Sequence, residues 1–167
     1  TIAVIAVHFA GLPCEMGDIV KICNKNKIEL IEDSAETLGA KWKNKYTGSF
    51  GTGCFSFFPT KNITTTEGGM LTLNNKKMYI KAKKIIAHGI SKSKEKPWMR
   101  YSVLPGHNYR LPNHLAVLGN TQLKKLKQLN FKRNHIANLF KKNLKKLNDL
   151  IIVPSTPKNY THVFQMY

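Results

Sequence analysis

Two short apolar runs on either side of an amphipathic stretch constrain the fold of this chain most strongly. TIAVIAV at residues 1–7 and IELIED at residues 28–33 each have the length and composition of a buried strand. Between them, residues 16–26 place three apolar side chains on one face at helical spacing: Ile19, Ile22 and Cys23. A strand, a helix and a second strand predict a βαβ unit whose strands are parallel neighbours. The sequence therefore predicts an α/β fold.

The remainder of the chain is predicted to form shorter elements. We expect a turn-rich hairpin leading into a strand at 54–58, a strand within 68–75, a basic helix within 76–89, a loop at 91–105 and a strand at 151–157. Residues 114–150 have the pattern of one long helix or two abutting helices, with an apolar stripe and lysines over the other faces. A core-facing stripe is favoured over a DNA-reading helix or a calmodulin-like target.

Charge and cysteine content narrow the class of protein. The 27 Lys and Arg residues outnumber the 9 Asp and Glu residues, which gives a formal net charge of +18. This charge suits a nucleic-acid surface, an anionic substrate or a compositional bias, and its spread over many lysines favours the bias. The three cysteines are odd in number and lack CxxC pairing, which argues against disulfides or a zinc site and favours the cytoplasm. No apolar run reaches membrane-spanning length, so no membrane partner is expected.

Lys61 and Asp33 are the side chains best suited to chemistry. A reactive lysine needs a sheltered, rigid loop that a carbonyl can reach, and Lys61 follows a predicted strand, although any exposed lysine can occupy such a loop. Asp33 ends another predicted strand, at the edge where parallel sheets bind ligands. Its carboxylate either caps a helix, with Glu36 completing a capping box, or faces a bound cation. For His8, at the same edge, a structural role is favoured.

These two side chains can serve one ligand if that ligand is pyridoxal phosphate. Lys61 would form a Schiff base, and Asp33 would hold the ring nitrogen protonated so that the ring acts as an electron sink. Ser56 and Thr60 could offer hydroxyls to the phosphate, although such residues in loops more often form turns.

Three stretches resemble the signature blocks of a known family. IEDSAETLGA at 31–40, TGSFGTGCFSFFPTKNITTTEGGM at 47–70 and PGHNYRLPNHLAVLGNTQL at 105–123 are similar, in the same order, to blocks of the DegT/StrS sugar aminotransferases. The similarity is dense from about residue 7 to residue 123. The resemblance implies the fold-type-I, aspartate aminotransferase-like fold of pyridoxal-phosphate-dependent transferases, a mostly parallel sheet with flanking helices.

The resemblance also implies a role for each matching residue. Lys61 falls on the Schiff-base lysine and proton shuttle, and Asp33 on the partner of the pyridinium nitrogen. Ser56 matches a residue that binds the cofactor phosphate. Glu36 falls where the family commonly places Gln, His or Glu against the cofactor ring. Asn108 matches an asparagine that reaches the phosphate of the neighbouring subunit's cofactor, which implies a homodimer with shared active sites.

The activity implied is amino transfer from an amino acid donor, expected to be glutamate, to a nucleotide-linked ketosugar in amino-sugar or polysaccharide biosynthesis. Some members with histidine at the lysine position are sugar dehydratases, so Lys61 favours transamination. The alternatives are a pyridoxal-phosphate dehydratase or cyclitol aminotransferase of the same fold, and, from another class, a basic nucleic-acid-binding module. No zinc-finger, RRM or helix-turn-helix pattern supports the last, so no nucleic-acid partner is expected.

Comparison with the family also predicts the domain organisation. Residues 1–125 are expected to form part of the large cofactor-binding domain, and residues 126–167 the connecting helix and the beginning of the small carboxyl-terminal domain. The family's amino-terminal phosphate-binding loop and ring-stacking residue have no counterpart in this sequence. We therefore expect an internal fragment that is inactive by itself.

Overall fold

The computed structural model describes residues 1–92, 95–96, 98–147 and 149–167. Within these ranges the strands are β1 (Ala3–Val7), β2 (Glu29–Asp33), β3 (Lys41–Trp42), β4 (Lys45–Tyr46), β5 (Thr52–Ser56), β6 (Gly69–Thr72), β7 (Ile90–Lys92), β8 (Arg100–Ser102) and β9 (Tyr160–Thr161). The α-helices are α1 (Met16–Asn26), α2 (Lys76–Ile85), α3 (Asn113–Leu123) and α4 (Leu126–Leu144). In the same ranges, each helix falls short of the length or apolar character that crossing a membrane requires.

A four-stranded sheet in the order β1-β2-β5-β6 carries the candidate site. Strands β1, β2 and β5 are parallel, whereas β6 runs antiparallel to β5. Val7 pairs with Asp33, and Asp33 pairs with Cys54, so the three parallel strands end close to one level. The predicted βαβ unit is confirmed, because α1 connects β1 to its parallel neighbour β2. The carboxyl ends of three strands therefore share one edge.

Helix α1 packs against this sheet. The buried cluster that includes residues of α1 and the sheet contains Ala6, Met16, Cys23 and Leu30. Ile22 was expected on the buried face of α1, but its side chain is 54% exposed, so that prediction is wrong. The apolar stripe instead starts one turn earlier, at Met16, and continues at helical spacing through Ile19, Val20 and Cys23. Ile22 lies at the margin of this stripe.

Residues 91–105, expected as a loop, include strands instead. β7 and β8 pair antiparallel, while residues 93–94 and 97 of this stretch lie outside the described residues. Ile90 and Tyr101 favour strands, but they lie among basic residues, so the sequence here lacks a recognisable strand pattern.

The helical half of the chain consists of two abutting helices, α3 and α4, separated at Lys124 and Lys125. Residues 151–157 were expected to form a strand and do not. Instead β9 returns to pair with β3, which also pairs with β4. A run of β-branched residues does not form a strand unless a neighbouring strand is positioned to hydrogen-bond with it.

Candidate active site

Asp33 lies at the carboxyl end of β2, on the edge where the parallel strands end. Its Oδ1 accepts a hydrogen bond from the Ala35 backbone N–H at 3.1 Å. Residues 34–39 form turns and no helix, so the capping-box interpretation of Asp33 and Glu36 is wrong. Burial and the nearby charge of Asp33 raise the pKa of the Cys54 thiol on β5. The Asp33 carboxylate therefore accepts a hydrogen bond from the turn after β2 and also influences the Cys54 thiol on β5.

Lys61 and Glu36 form an ion pair near this edge. Lys61 Nζ lies 3.3 Å from Glu36 Oε1, and the two side chains are only 17% and 21% exposed. Glu36 Oε2 accepts a second hydrogen bond, at 2.8 Å, from the backbone N–H of Ala10. Ala10 has a φ of 56°, a left-handed conformation that alanine rarely adopts. A residue in this uncommon backbone conformation therefore donates the second hydrogen bond to Glu36.

Residues 57–66, which we call the lysine loop, hold Lys61 in a network of backbone hydrogen bonds. The Lys61 N–H donates to the Phe58 carbonyl at 3.0 Å, and the Thr65 N–H donates to the Phe57 carbonyl at 2.9 Å. These bonds close the loop onto its own beginning. A lysine on such a loop keeps a fixed direction, as covalent chemistry requires.

Gln122 on α3 fixes the lysine loop from outside. Its Oε1 accepts from the Thr64 N–H at 3.1 Å, and its Nε2 donates to the Thr64 carbonyl at 3.0 Å. Gly119 leaves room for this contact, since a Cβ there would lie 2.8 Å from Thr65 Cγ2. Gln122 and Thr64 are 58 residues apart, so no local sequence pattern connects them or indicates a role for Gln122.

Replacement of Gln122 by alanine is expected to destabilise the protein by about 1–2 kcal/mol, because two backbone groups of Thr64 lose their partners. Urea unfolding monitored by circular dichroism measures this difference. Gln128→Ala, on an exposed position of α4, is the matched control and should stay within about 0.5 kcal/mol of the unmodified protein. Equal stabilities of the two variants would contradict the role of Gln122 in fixing the lysine loop.

Glu32 is a buried carboxylate that the sequence analysis missed. It is fully buried, and its Oε1 accepts from the N–H groups of Phe50 and Gly51 at 2.7 and 2.8 Å. Its Oε2 accepts from the Gly48 N–H at 2.8 Å and lies 3.2 Å from His8 Nε2. Burial alone would raise the pKa of Glu32, but the hydrogen bonds from His8, Gly51, Gly48 and Phe50 outweigh it and hold the pKa below the usual value near 4.5.

His8 completes this buried network. It is 1% exposed, and its Nδ1 accepts a hydrogen bond from the Cys14 backbone N–H at 3.0 Å. Nε2 is therefore the nitrogen that carries a proton and donates to Glu32. The predicted structural role of His8 is confirmed. The signal for Glu32 was the alternation of β2, which places Glu32 on the same buried face as Leu30 and directs Asp33 to the other face.

The remaining candidates, Ser56 and Asn108, lie in different places. Ser56 is the last residue of β5, half-buried, and its Oγ accepts from the Phe58 N–H at 3.3 Å. Asn108 is exposed and forms an antiparallel bridge with Ala87, beyond the end of α2. Among the described residues, no hydrogen bond joins Asn108 to Lys61 or to the other candidates. The fold thus brings four of the five candidates to the sheet edge or its following loops, and leaves Asn108 apart.

Comparison with known proteins places this geometry in a family. The DegT/DnrJ/EryC1/StrS aminotransferase family matches residues 1–167. GDP-perosamine synthase of Escherichia coli O157:H7 is 36% identical over 99% of this chain and 44% of its own length. UDP-4-amino-4,6-dideoxy-N-acetyl-beta-L-altrosamine transaminase of Campylobacter jejuni (strain 81-176) is 39% identical over 86% of this chain and 38% of its own length.

Solved structures agree on the fold. An aminotransferase from Psychrobacter cryohalolentis superposes with a TM-score of 0.92 at 31% identity, over 99% of this chain and 46% of its own. Helicobacter pylori PseC, an aminotransferase involved in the biosynthesis of pseudoaminic acid, gives a TM-score of 0.87 at 30% identity, over 99% of this chain and 44% of its own. The chain spans less than half the length of these relatives. Its fold is that of the pyridoxal-phosphate-dependent aminotransferases, and the chain belongs to the DegT/DnrJ/EryC1/StrS aminotransferase family.

Proposed function

We propose that the whole protein is a pyridoxal-phosphate-dependent aminotransferase that moves an amino group from an amino acid, expected to be glutamate, to a nucleotide-linked ketosugar. The observation that carries this proposal is the sheltered pair of Lys61, on the lysine loop, and Glu36, on the turn after β2, at the same sheet edge as Asp33. Two relatives, a GDP-perosamine synthase and a UDP-linked aminosugar transaminase, support a nucleotide-sugar substrate.

The chemistry of the side chains at the sheet edge fits pyridoxal phosphate. The cofactor offers an aldehyde, a basic ring nitrogen and a phosphate. Lys61 provides a primary amine, Asp33 a carboxylate on the end of a strand, and Ser56 a hydroxyl at the end of the next parallel strand. When bound, pyridoxal phosphate supplies an electron sink for the carbon that carries the amino group.

Each residue has a distinct task in the proposed reaction. Lys61 binds the cofactor through its amine and moves protons at Nζ, for which its direction must be fixed. Asp33 keeps positive charge on the ring nitrogen, because a carboxylate beside a cation favours the charged form. Glu36 orients the Lys61 amine through its 3.3 Å contact, and Ser56 would provide a hydroxyl to hold the phosphate of bound pyridoxal phosphate.

We also propose a homodimer with shared active sites. Asn108 is exposed, and so are the large apolar side chains of Tyr101, Val103 and Tyr109 around it in the chain. A second subunit that covers this surface would receive Asn108 at its own cofactor phosphate. We further propose that residue 125 ends the large-domain part of the chain. The three free cysteines suit a cytoplasmic location, which is also part of this proposal.

The test is an amino transfer assay of the whole protein with pyridoxal phosphate, glutamate, and ketosugars linked to GDP or to UDP. We expect glutamate-dependent formation of an aminosugar from one nucleotide series. Asp33→Asn should lower the rate by about 100-fold or more, because the ring nitrogen loses its counter-charge. Asp18→Asn, at an exposed position of α1, is the matched control and should keep the rate.

Two outcomes would contradict the proposal. If the cofactor binds and neither series is aminated, the substrate class is wrong. A dehydrated, nitrogen-free sugar as the product would instead favour the dehydratase alternative. Such an enzyme exists among the structural neighbours, since GDP-4-keto-6-deoxymannose-3-dehydratase aligns at 29% identity with a TM-score of 0.85.

A further inference from the structure

Asn62, the neighbour of Lys61, is buried and hydrogen-bonded to parts of the chain outside the Lys61–Glu36 pair. Its side chain is 5% exposed, although it carries two polar atoms. Its Nδ2 donates to Asn130 Oδ1 on α4 at 2.7 Å and to the Val163 carbonyl at 3.3 Å. The lysine loop is therefore tied to α4 by a direct amide–amide bond. A buried donor of this kind is costly to leave without its partner.

The same Asn130 also holds the turn that carries Glu36. Its Nδ2 donates to the Leu38 carbonyl at 3.0 Å, two residues beyond Glu36. Gly39 makes this approach possible, since its φ is +89° and a Cβ would lie only 2.8 Å from Asn130 Nδ2. The contact thus requires a residue without a side chain on the turn.

We propose that Asn130 is a positioning residue for the candidate site. With its acceptor oxygen it fixes the lysine loop through Asn62, and with its donor nitrogen it fixes the turn that carries Glu36. One planar amide therefore sets the spacing of the two segments whose side chains meet as the Lys61–Glu36 pair. Its catalytic consequence rests on the function proposed above. A displacement of about 1 Å in such a group can cost on the order of 100-fold in rate.

The two hydrogen bonds of Asn130 can be broken one at a time. Asn130→Asp keeps an acceptor for Asn62 but loses the donor to Leu38. Asn62→Asp loses the donor to Asn130, and with it the donor to the Val163 carbonyl, but leaves the bond between Asn130 and Leu38 in place. Asn130→Ala removes both bonds, and Asn138→Ala is the matched control, because Asn138 lies on the same helix and is exposed.

Hydrogen exchange of the whole protein without cofactor is the first readout. It reports the backbone N–H groups of Lys61 and Thr65 in the lysine loop, and of Thr37 and Ala40 in residues 34–40, which we call the Glu36 turn; all four are hydrogen-bonded. We expect exchange to quicken by about 10-fold or more in the turn for Asn130→Asp, in the loop for Asn62→Asp, and in both for Asn130→Ala. The control should exchange like the unmodified protein.

The second readout compares the effects on kcat and on KM in the protein with cofactor bound. Asn130→Ala should lower kcat for amino transfer by about 10- to 100-fold, with a smaller change in KM for the ketosugar, since Asn130 acts through the positions of Lys61 and Glu36. Unchanged exchange in Asn130→Ala would overturn the inference, and so would equal acceleration in helix α1, which would indicate general destabilisation. Absence of amino transfer in the unmodified protein would refute the proposed function, while the exchange pattern would still decide the positioning role.

Discussion

Replacement of Lys61 by alanine is expected to abolish amino transfer, with a loss of about a thousandfold or more. The reason is that Lys61 provides both the amine that binds the cofactor and the group that moves protons in the proposed reaction. No other lysine is held next to Glu36 among the described residues. Steady-state rates with glutamate and the accepted ketosugar measure the effect.

Lys61→Arg is the informative control for this loss. Arginine keeps the positive charge and can retain the contact with Glu36, but its guanidinium does not act as the required amine. Both variants should therefore be inactive, while the arginine variant stays closer to the unmodified protein in thermal stability. Substantial activity in either variant would show that Lys61 is not the reactive lysine.

Replacement of Glu32 by glutamine is expected to have the largest effect on stability, about 3–5 kcal/mol, which is the range for breaking a buried charged network. Glutamine has nearly the same shape, but its NH₂ group would face a backbone N–H that now donates a hydrogen bond to the carboxylate, so two donors would meet without an acceptor. Glu29→Gln is the matched control, since Glu29 lies on the same strand and is exposed. Its free energy of unfolding should stay within about 0.5 kcal/mol of the unmodified value.

The lowered pKa of Glu32 also predicts how stability depends on pH. Because the pKa of the folded state lies below the unfolded value near 4.5, the carboxylate contributes its full stability above pH 4.5. That contribution is lost as the pH falls below 4.5 and through the folded pKa. Unfolding midpoints between pH 3 and pH 7 should show this acid loss in the unmodified protein and in Glu29→Gln. A loss of the same size in Glu32→Gln would contradict the assignment.

Local patterns predicted the elements that hold the candidate site. The length and apolar content of β1 and β2, with the helical spacing between them, were sufficient for the βαβ unit and for Asp33 at its edge. The position of Lys61 after β5 also followed from the local pattern. The assignment of its role depended on the family resemblance, because many lysines in this chain occupy loops.

Long-range contacts explain what the sequence did not reveal. Glu32 is stabilised by backbone N–H groups at positions 48, 50 and 51, whose direction depends on how that loop folds back over β2. The bond between Asn62 and Asn130 spans 68 residues. The false strand at 151–157 has the opposite cause, since strong local propensity had no partner strand to satisfy it.

Trapping of the reactive lysine tests the central claim most directly. The whole protein is incubated with pyridoxal phosphate, reduced with borohydride and mapped by peptide mass spectrometry, with Lys61→Arg as the measure of background labelling of other lysines. We expect one dominant adduct, on the peptide that contains Lys61, and its disappearance in the variant. Labelling spread over many surface lysines and unchanged in Lys61→Arg would contradict the assignment of Lys61 as the cofactor-binding residue.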